Sequence, residues 1–239
     1  MSTQHIATLQ GQINSLINQL RNYVGNLAGC NLNINAAPNL YQLYCYLKTL
    51  VKFANRNCQI TLLPSRQGNV LTLPGSPPSS RRRQNEYKIS DAIKEYRERY
   101  SVFQVLYEDP VTGIHMKFFL FYNLCIPHRI SNSYRSILCQ SPDVAFIMEH
   151  DHDKYDVIAI KEIKYTLTGK TSFPEWIRTI IGYEVTLVNR SKALFLLRML
   201  NEFSEVIVNI DIRHTNYWND KVVKNILLEH NIRIVSEII

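Results

Sequence analysis

The stretch SPDVAFIMEHDHDKYDVIAIKEIKYT, residues 141–166, decides how the rest of the chain is read. A Pro-Asp pair, Pro142 and Asp143, precedes an apolar run. A turn of acids and histidines follows, and a second apolar run closes on Glu162, Ile163 and Lys164. Side chains alternate along a strand, so Glu162 and Lys164 point one way and Ile163 the other. Charge buried in a sheet is costly unless something offsets its desolvation. The two residues therefore either pair with each other or serve a site.

Working outward, the two apolar runs predict strands over 142–148 and 156–166, joined as a hairpin through the turn EHDHDK, 149–154. Adjacent strands would bring Asp143, Glu162 and Lys164 to one edge. Upstream, 40–54 reads as a helix with Leu40, Leu43, Tyr44, Leu47 and Leu50 on one side. QITLLP, 59–64, is a strand, 65–86 an exposed Ser-, Pro- and Arg-rich loop, and 31–39 a polar linker. Residues 90–100 predict a short helix capped by Ser90, with strands following at 103–107 and 115–122. Downstream, a helix starts around Pro174 and another spans 191–203. A strand at 205–211, a helix at 219–230 and a last strand at 232–238 complete the order. Antiparallel strands followed by alternating helices and strands predict an α/β domain with a mixed central sheet flanked by helices.

Ahead of this domain, Ile6, Leu9, Ile13, Leu16, Leu20, Tyr23 and Leu27 form a heptad stripe. The chain thus divides into a helix over 1–30 and a domain over 31–239. Periodicity reveals an apolar face but not what covers it. The stripe would build a homodimer through 6–27 or lie across the domain.

Composition narrows the classes. A 239-residue chain with 46% hydrophobic and 20% charged residues is that of a globular protein with a real core. No apolar run reaches the roughly 18–20 residues of a membrane span, and MSTQHIATLQGQ lacks a signal peptide's basic and apolar blocks. A cytoplasmic location is the expectation. The five cysteines form no Cys-x-x-Cys pair, which argues for reduced, packed thiols over a zinc ribbon. A net charge of +7 suits a polyanion such as DNA or RNA. No Ser-His-Asp order, phosphate-cradling glycine loop or His-Glu-x-x-His helix is present.

Pro142-Asp143 followed nineteen residues after Asp143 by Glu162-Ile163-Lys164 resembles the Pro-Asp…(Asp/Glu)-x-Lys motif of the restriction-endonuclease-like nuclease superfamily. The resemblance covers about 40–239 and leaves the heptad helix outside. It implies a restriction-endonuclease-like core and a Mg²⁺- or Mn²⁺-dependent nuclease that cuts DNA, with RNA left open. Such enzymes commonly act in defence, mobile-element biology or repair. Phosphodiester hydrolysis calls for a hard cation, and hard cations take oxygen ligands. Asp143 and Glu162 would supply them, with the Ile163 backbone carbonyl as a third. Lys164 would orient or deprotonate the attacking water and offset charge on the phosphate. Nucleases of this type often carry a glutamate on the first helix; here Gln42 stands at that position. Its amide would bind a cation more weakly or hold a water.

Arg178 and Tyr183, on the helix after the motif, would reach a substrate phosphate, or be a solvated arginine and a core tyrosine. Arg81, Arg82 and Arg83 would make a phosphate-gripping arm, or merely a solubilising run. His150, Asp151, His152 and Asp153 read as a solvated turn rather than a metal cluster. Asp156 reads as the end of that turn, and Tyr165 as packing. His214, Tyr217 and Trp218 are left between packing and stacking. The rival reading is a non-catalytic nucleic-acid-binding or assembly protein that keeps the fold. Cutting would be structure-directed, or a protein partner would supply specificity, since no separate sequence-reading domain is visible.

Overall fold

The computed structural model describes residues 3–25, 27, 29–31, 37–65, 70–75, 87–128, 138–150, 154–165, 173–209 and 221–239. Its centre is a seven-stranded sheet built from β2 (Gln59–Leu63), β4 (Val102–Glu108), β5 (His115–Tyr122), β8 (Val144–Glu149), β9 (Tyr155–Lys164), β10 (Ser204–Val208) and β11 (Ile232–Ser236). The spatial order is β11-β10-β9-β8-β5-β4-β2. From β2 to β9 neighbours pair antiparallel, whereas β10 runs parallel to β9 and β11 to β10. Parallel neighbours need a crossover. Helices α4 (Phe173–Leu187) and α5 (Arg190–Leu200) make the first, and α6 (Lys221–Glu229) lies in the second.

Helices α1 (Thr3–Arg21), α2 (Ala37–Ala54) and α3 (Ile89–Arg99) complete the layers. Leu120, Phe146 and Ile163 on one face of the sheet join the buried residues of α1, α2 and α5. Phe121, Ala145 and Ile160 on the other join those of α3, α4 and α6. The strands are apolar on both faces because both are covered. The α/β reading with a mixed sheet flanked by helices therefore holds.

The structure also amends several local readings. The stripe on α1 is not free: Leu9, Ile13, Leu16 and Leu20 are buried in the same cluster as α2. Of the stripe's two expected roles, these residues take the one across the domain, while its Tyr23 stays exposed. The linker at 31–39 is shorter than expected, since α2 begins at Ala37 and Gly29–Asn31 forms β1. That strand pairs parallel with β3 (Val70–Thr72), inside the stretch read as a loop. A second small pair, β6 (Ile126–His128) with β7 (Leu138–Gln140), was not legible either. Ser90 is not the cap of α3: the helix begins at Ile89, and the Asp91 carboxylate accepts the Lys88 N–H at 2.8 Å. Cys45 and Cys58 are free, buried thiols. No described helix is long and apolar enough to cross a membrane.

Inside β9, Lys161 lies 2% exposed on the α2 face, with its ammonium 2.5 Å from Glu205 and 3.4 Å from Glu202. Glu202 also meets Lys52 and Arg56 from the end of α2. This network ties α2 and the turn into β10 to the strand that carries Glu162. On the other face, the Ser204 hydroxyl donates to Glu184 of α4 and accepts the Ile160 N–H at 3.2 Å.

If α1 belongs to the core, Leu20→Ala, at a fully buried position, will lower stability by about 2–5 kcal/mol in urea unfolding. A loss below about 0.5 kcal/mol would place α1 outside the folding unit.

Candidate active site

Antiparallel pairing sets the start of β8 beside the end of β9, with Val144 opposite Lys161. Asp143, one residue before β8, therefore faces the last turn of the β9 zigzag. The Ile163 N–H donates to its Oδ2 at 2.6 Å. A strand residue sends its N–H and C=O to the same side, so the Ile163 carbonyl also lies toward Asp143. The Lys164 carbonyl turns the other way and accepts the Asn209 N–H at 3.2 Å. Glu162 and Lys164 share a face, and the Lys164 ammonium is 2.6 Å from Glu162 Oε2 and 3.9 Å from Asp143 Oδ2. The two charges thus pair with each other and with a third. The first helix does reach the site: Gln42 Nε2 donates to Asp143 Oδ1 at 3.0 Å.

Asp143 is 4% and Glu162 3% exposed, so both carboxylates are buried with one ammonium between them. Burial raises the Asp143 pKa, opposed by Lys164 and by the Ile163 N–H. Burial first, and the Asp143 charge second, push Glu162 up to about 8, with Lys164 opposing. For Lys164 burial works against the charge, but Glu162 and Asp143 outweigh it and hold its pKa above the ordinary value. Among the described residues the site is one positive charge short. A proton shared by the coupled carboxylates supplies it without metal, and a cation would supply it with metal.

The donor set is of the kind a hard divalent ion takes: two carboxylate groups and a backbone carbonyl, all oxygen. Among the described residues, no group of three His, Cys, Asp or Glu side chains forms a ready cage for such an ion.

Tyr183 of α4 is brought to the site. Burial and the nearby Glu162 carboxylate push its phenol up to about 12, while Lys164 pulls it down. Arg178 is exposed on the same helix, and five residues of helix set it roughly 140° round from Tyr183. Asp156 is remote, six residues or roughly 20 Å along β9 from Glu162, and its carboxylate is 2.8 Å from His150 Nε2. Tyr165 packs its ring against Tyr41 at 5.5 Å. Arg81, Arg82, Arg83, Asp151, His152, Asp153, His214, Tyr217 and Trp218 lie outside the described residues.

Two residues escaped the sequence reading. Tyr122, at the end of β5, donates its hydroxyl to Gln42 Oε1 at 3.4 Å. Asn123, in the left-handed region with φ 52°, donates its backbone N–H to the Asp143 carbonyl at 3.0 Å. The signal that would have found Tyr122 is its register opposite Val144, the residue after Asp143. Comparison of the chain with protein-family models, with curated proteins and with solved structures found no match.

The raised Glu162 pKa fixes the sign of a pH effect. Between the ordinary glutamate value and about 8 the metal-free folded state binds more protons than the unfolded one. The stabilisation is therefore full below that window and is lost as pH rises through it. Urea midpoints of the metal-free protein will fall from pH 5.5 to 8.5, and Glu162→Gln will flatten the fall; equal slopes in both proteins would contradict the assignment.

Proposed function

We propose that the chain is a metal-dependent nuclease with a restriction-endonuclease-like core that hydrolyses DNA phosphodiesters. The observation that carries this reading is the gathering of Asp143, Glu162 and Lys164 at the joined ends of β8 and β9, buried and one positive charge short. The same strand supplies a contrast. Lys161 and its two glutamates are compensated by Lys52 and Arg56, whereas among the described residues the two acids at Glu162 face Lys164 alone.

Mg²⁺ or Mn²⁺ held there would polarise the scissile phosphate and acidify the attacking water. Asp143 and Glu162 would be its side-chain ligands, with the Ile163 carbonyl turned toward the same point. Lys164 enters as an ammonium, because its two carboxylate neighbours stabilise the charge. It therefore orients the water and offsets charge on the phosphate, and is not the base. Tyr183, close to Glu162 and Lys164, keeps its proton at neutral pH and donates to a phosphate oxygen. The net charge of +7 favours a polyanionic substrate.

Cleavage of supercoiled, linear and single-stranded DNA, and of RNA, with Mg²⁺, Mn²⁺ or EDTA tests this. Metal-dependent cutting of DNA is expected, with Asp143→Ala and Lys164→Ala each lowering the rate about 100-fold or more while circular dichroism stays unchanged. Folded wild type that cuts none of these, yet shifts DNA in a gel, would replace the nuclease with a binding protein. Cutting of RNA alone would change the substrate.

A further inference from the structure

We propose that Tyr122 and Gln42 form a positioning relay that fixes the Asp143 carboxylate, and that Gln42 works in it as a hydrogen-bond donor and not as a cation ligand. Its consequence for rate rests on the nuclease reading; the relay itself does not.

A glutamine amide carries an acceptor at one end and two donors at the other, and its neighbours decide which end goes where. Here the Tyr122 hydroxyl has an acceptor in Gln42 Oε1 at 3.4 Å. That leaves the amide nitrogen facing Asp143 Oδ1, to which it donates at 3.0 Å. In the reversed amide two oxygens would face each other, Oε1 against Oδ1. Asp143 Oδ2 is held from the other side by the Ile163 N–H at 2.6 Å. One donor from α2 and one from β9 thus clamp the carboxylate against rotation, and each oxygen keeps a lone pair for a further partner.

The relay starts from a fixed point. Tyr122 is fully buried, so its phenol does not meet a substrate. Its ring packs on Tyr46 at 5.3 Å, and its backbone carbonyl accepts the Tyr96 hydroxyl at 2.7 Å. Tyr46 in turn donates to the Leu120 carbonyl at 3.1 Å. Helices on both faces of the sheet therefore hold the end of β5, and β5 aims the amide. A ligand whose oxygen is already engaged by a buried hydroxyl is a poor ligand for a cation. A donor held in that way is a good clamp for a carboxylate.

The test compares wild type with Tyr122→Phe, which keeps the ring, and Gln42→Met, which keeps the shape and loses both polar ends. Three readouts are taken: exchange protection of the Gln42 side-chain amide by NMR, Mn²⁺ affinity by electron paramagnetic resonance, and kcat with KM. Tyr122→Phe is expected to lose the amide protection, to weaken Mn²⁺ binding about 10-fold or more and to lower kcat with KM for DNA unchanged. Gln42→Met is expected to match it in Mn²⁺ affinity and kcat. Mn²⁺ binding in Tyr122→Phe equal to wild type or tighter would overturn the relay, since a freed amide oxygen then ligates. If wild type binds no Mn²⁺ and cuts nothing, the nuclease reading falls. Amide protection lost in Tyr122→Phe would then still uphold the relay, and protection retained would overturn it.

Discussion

Two carboxylates buried against a single ammonium set the terms for the rest of the structure. Taking an ion out of water costs several kcal/mol even after relaxation, and the attraction of a buried pair returns this only with good geometry and satisfied lone pairs. Asp143 meets that condition through two N–H donors, and Glu162 through Lys164. Among the described residues a second acid remains uncompensated. One residue earlier in the zigzag, Lys161 lies between Glu202 and Glu205 with Lys52 and Arg56 added, three cations for two anions among the described residues. That network thus leaves no acid without a cation. The cluster at Glu162 differs, and a cation-binding function gives the difference a cause.

The sheet explains how such a cluster is assembled without a loop. Side chains two residues apart on β9 share a face, which joins Glu162 to Lys164. The antiparallel partner β8 delivers Asp143 from the other direction. Parallel β10 then lies on the far side of β9, with Val206 opposite Glu162 and Val208 opposite Lys164. Helices enter from opposite faces, α2 with Gln42 and α4 with Tyr183. Each group therefore sits on a rigid element, as a site with fixed geometry requires.

Much of this was legible because the relevant signals are local. Alternation placed Glu162 and Lys164 together, and the short hairpin brought Asp143 alongside them. The strand read over 115–122 coincides with β5, whose run HMKFFLFY has no internal turn residue. Tyr122 was missed because β5 and β8 are joined through the β6–β7 pair, and their register is a tertiary property. The burial of Lys161 had no local signal, because the acids that meet it, Glu202 and Glu205, lie about forty positions later in the chain. The heptad on α1 showed an apolar face truthfully, and only α2 could show that the face was covered. The three residues of β3 are too few for a periodic signal amid serines and prolines. Ser90 resembled a cap by type, yet the Asp91 carboxylate beside it accepts the Lys88 N–H.

The missing positive charge is the central claim, and proton release on cation binding measures it directly. If Asp143 and Glu162 retain a proton between them when metal-free, Mg²⁺ must displace it. Calorimetry in buffers of different ionisation enthalpy should then show about one proton released per cation near pH 7, falling toward zero above the Glu162 value of about 8. Binding that releases no proton at either pH, or no binding at all, would show that the cluster is already charge-closed and would contradict the account.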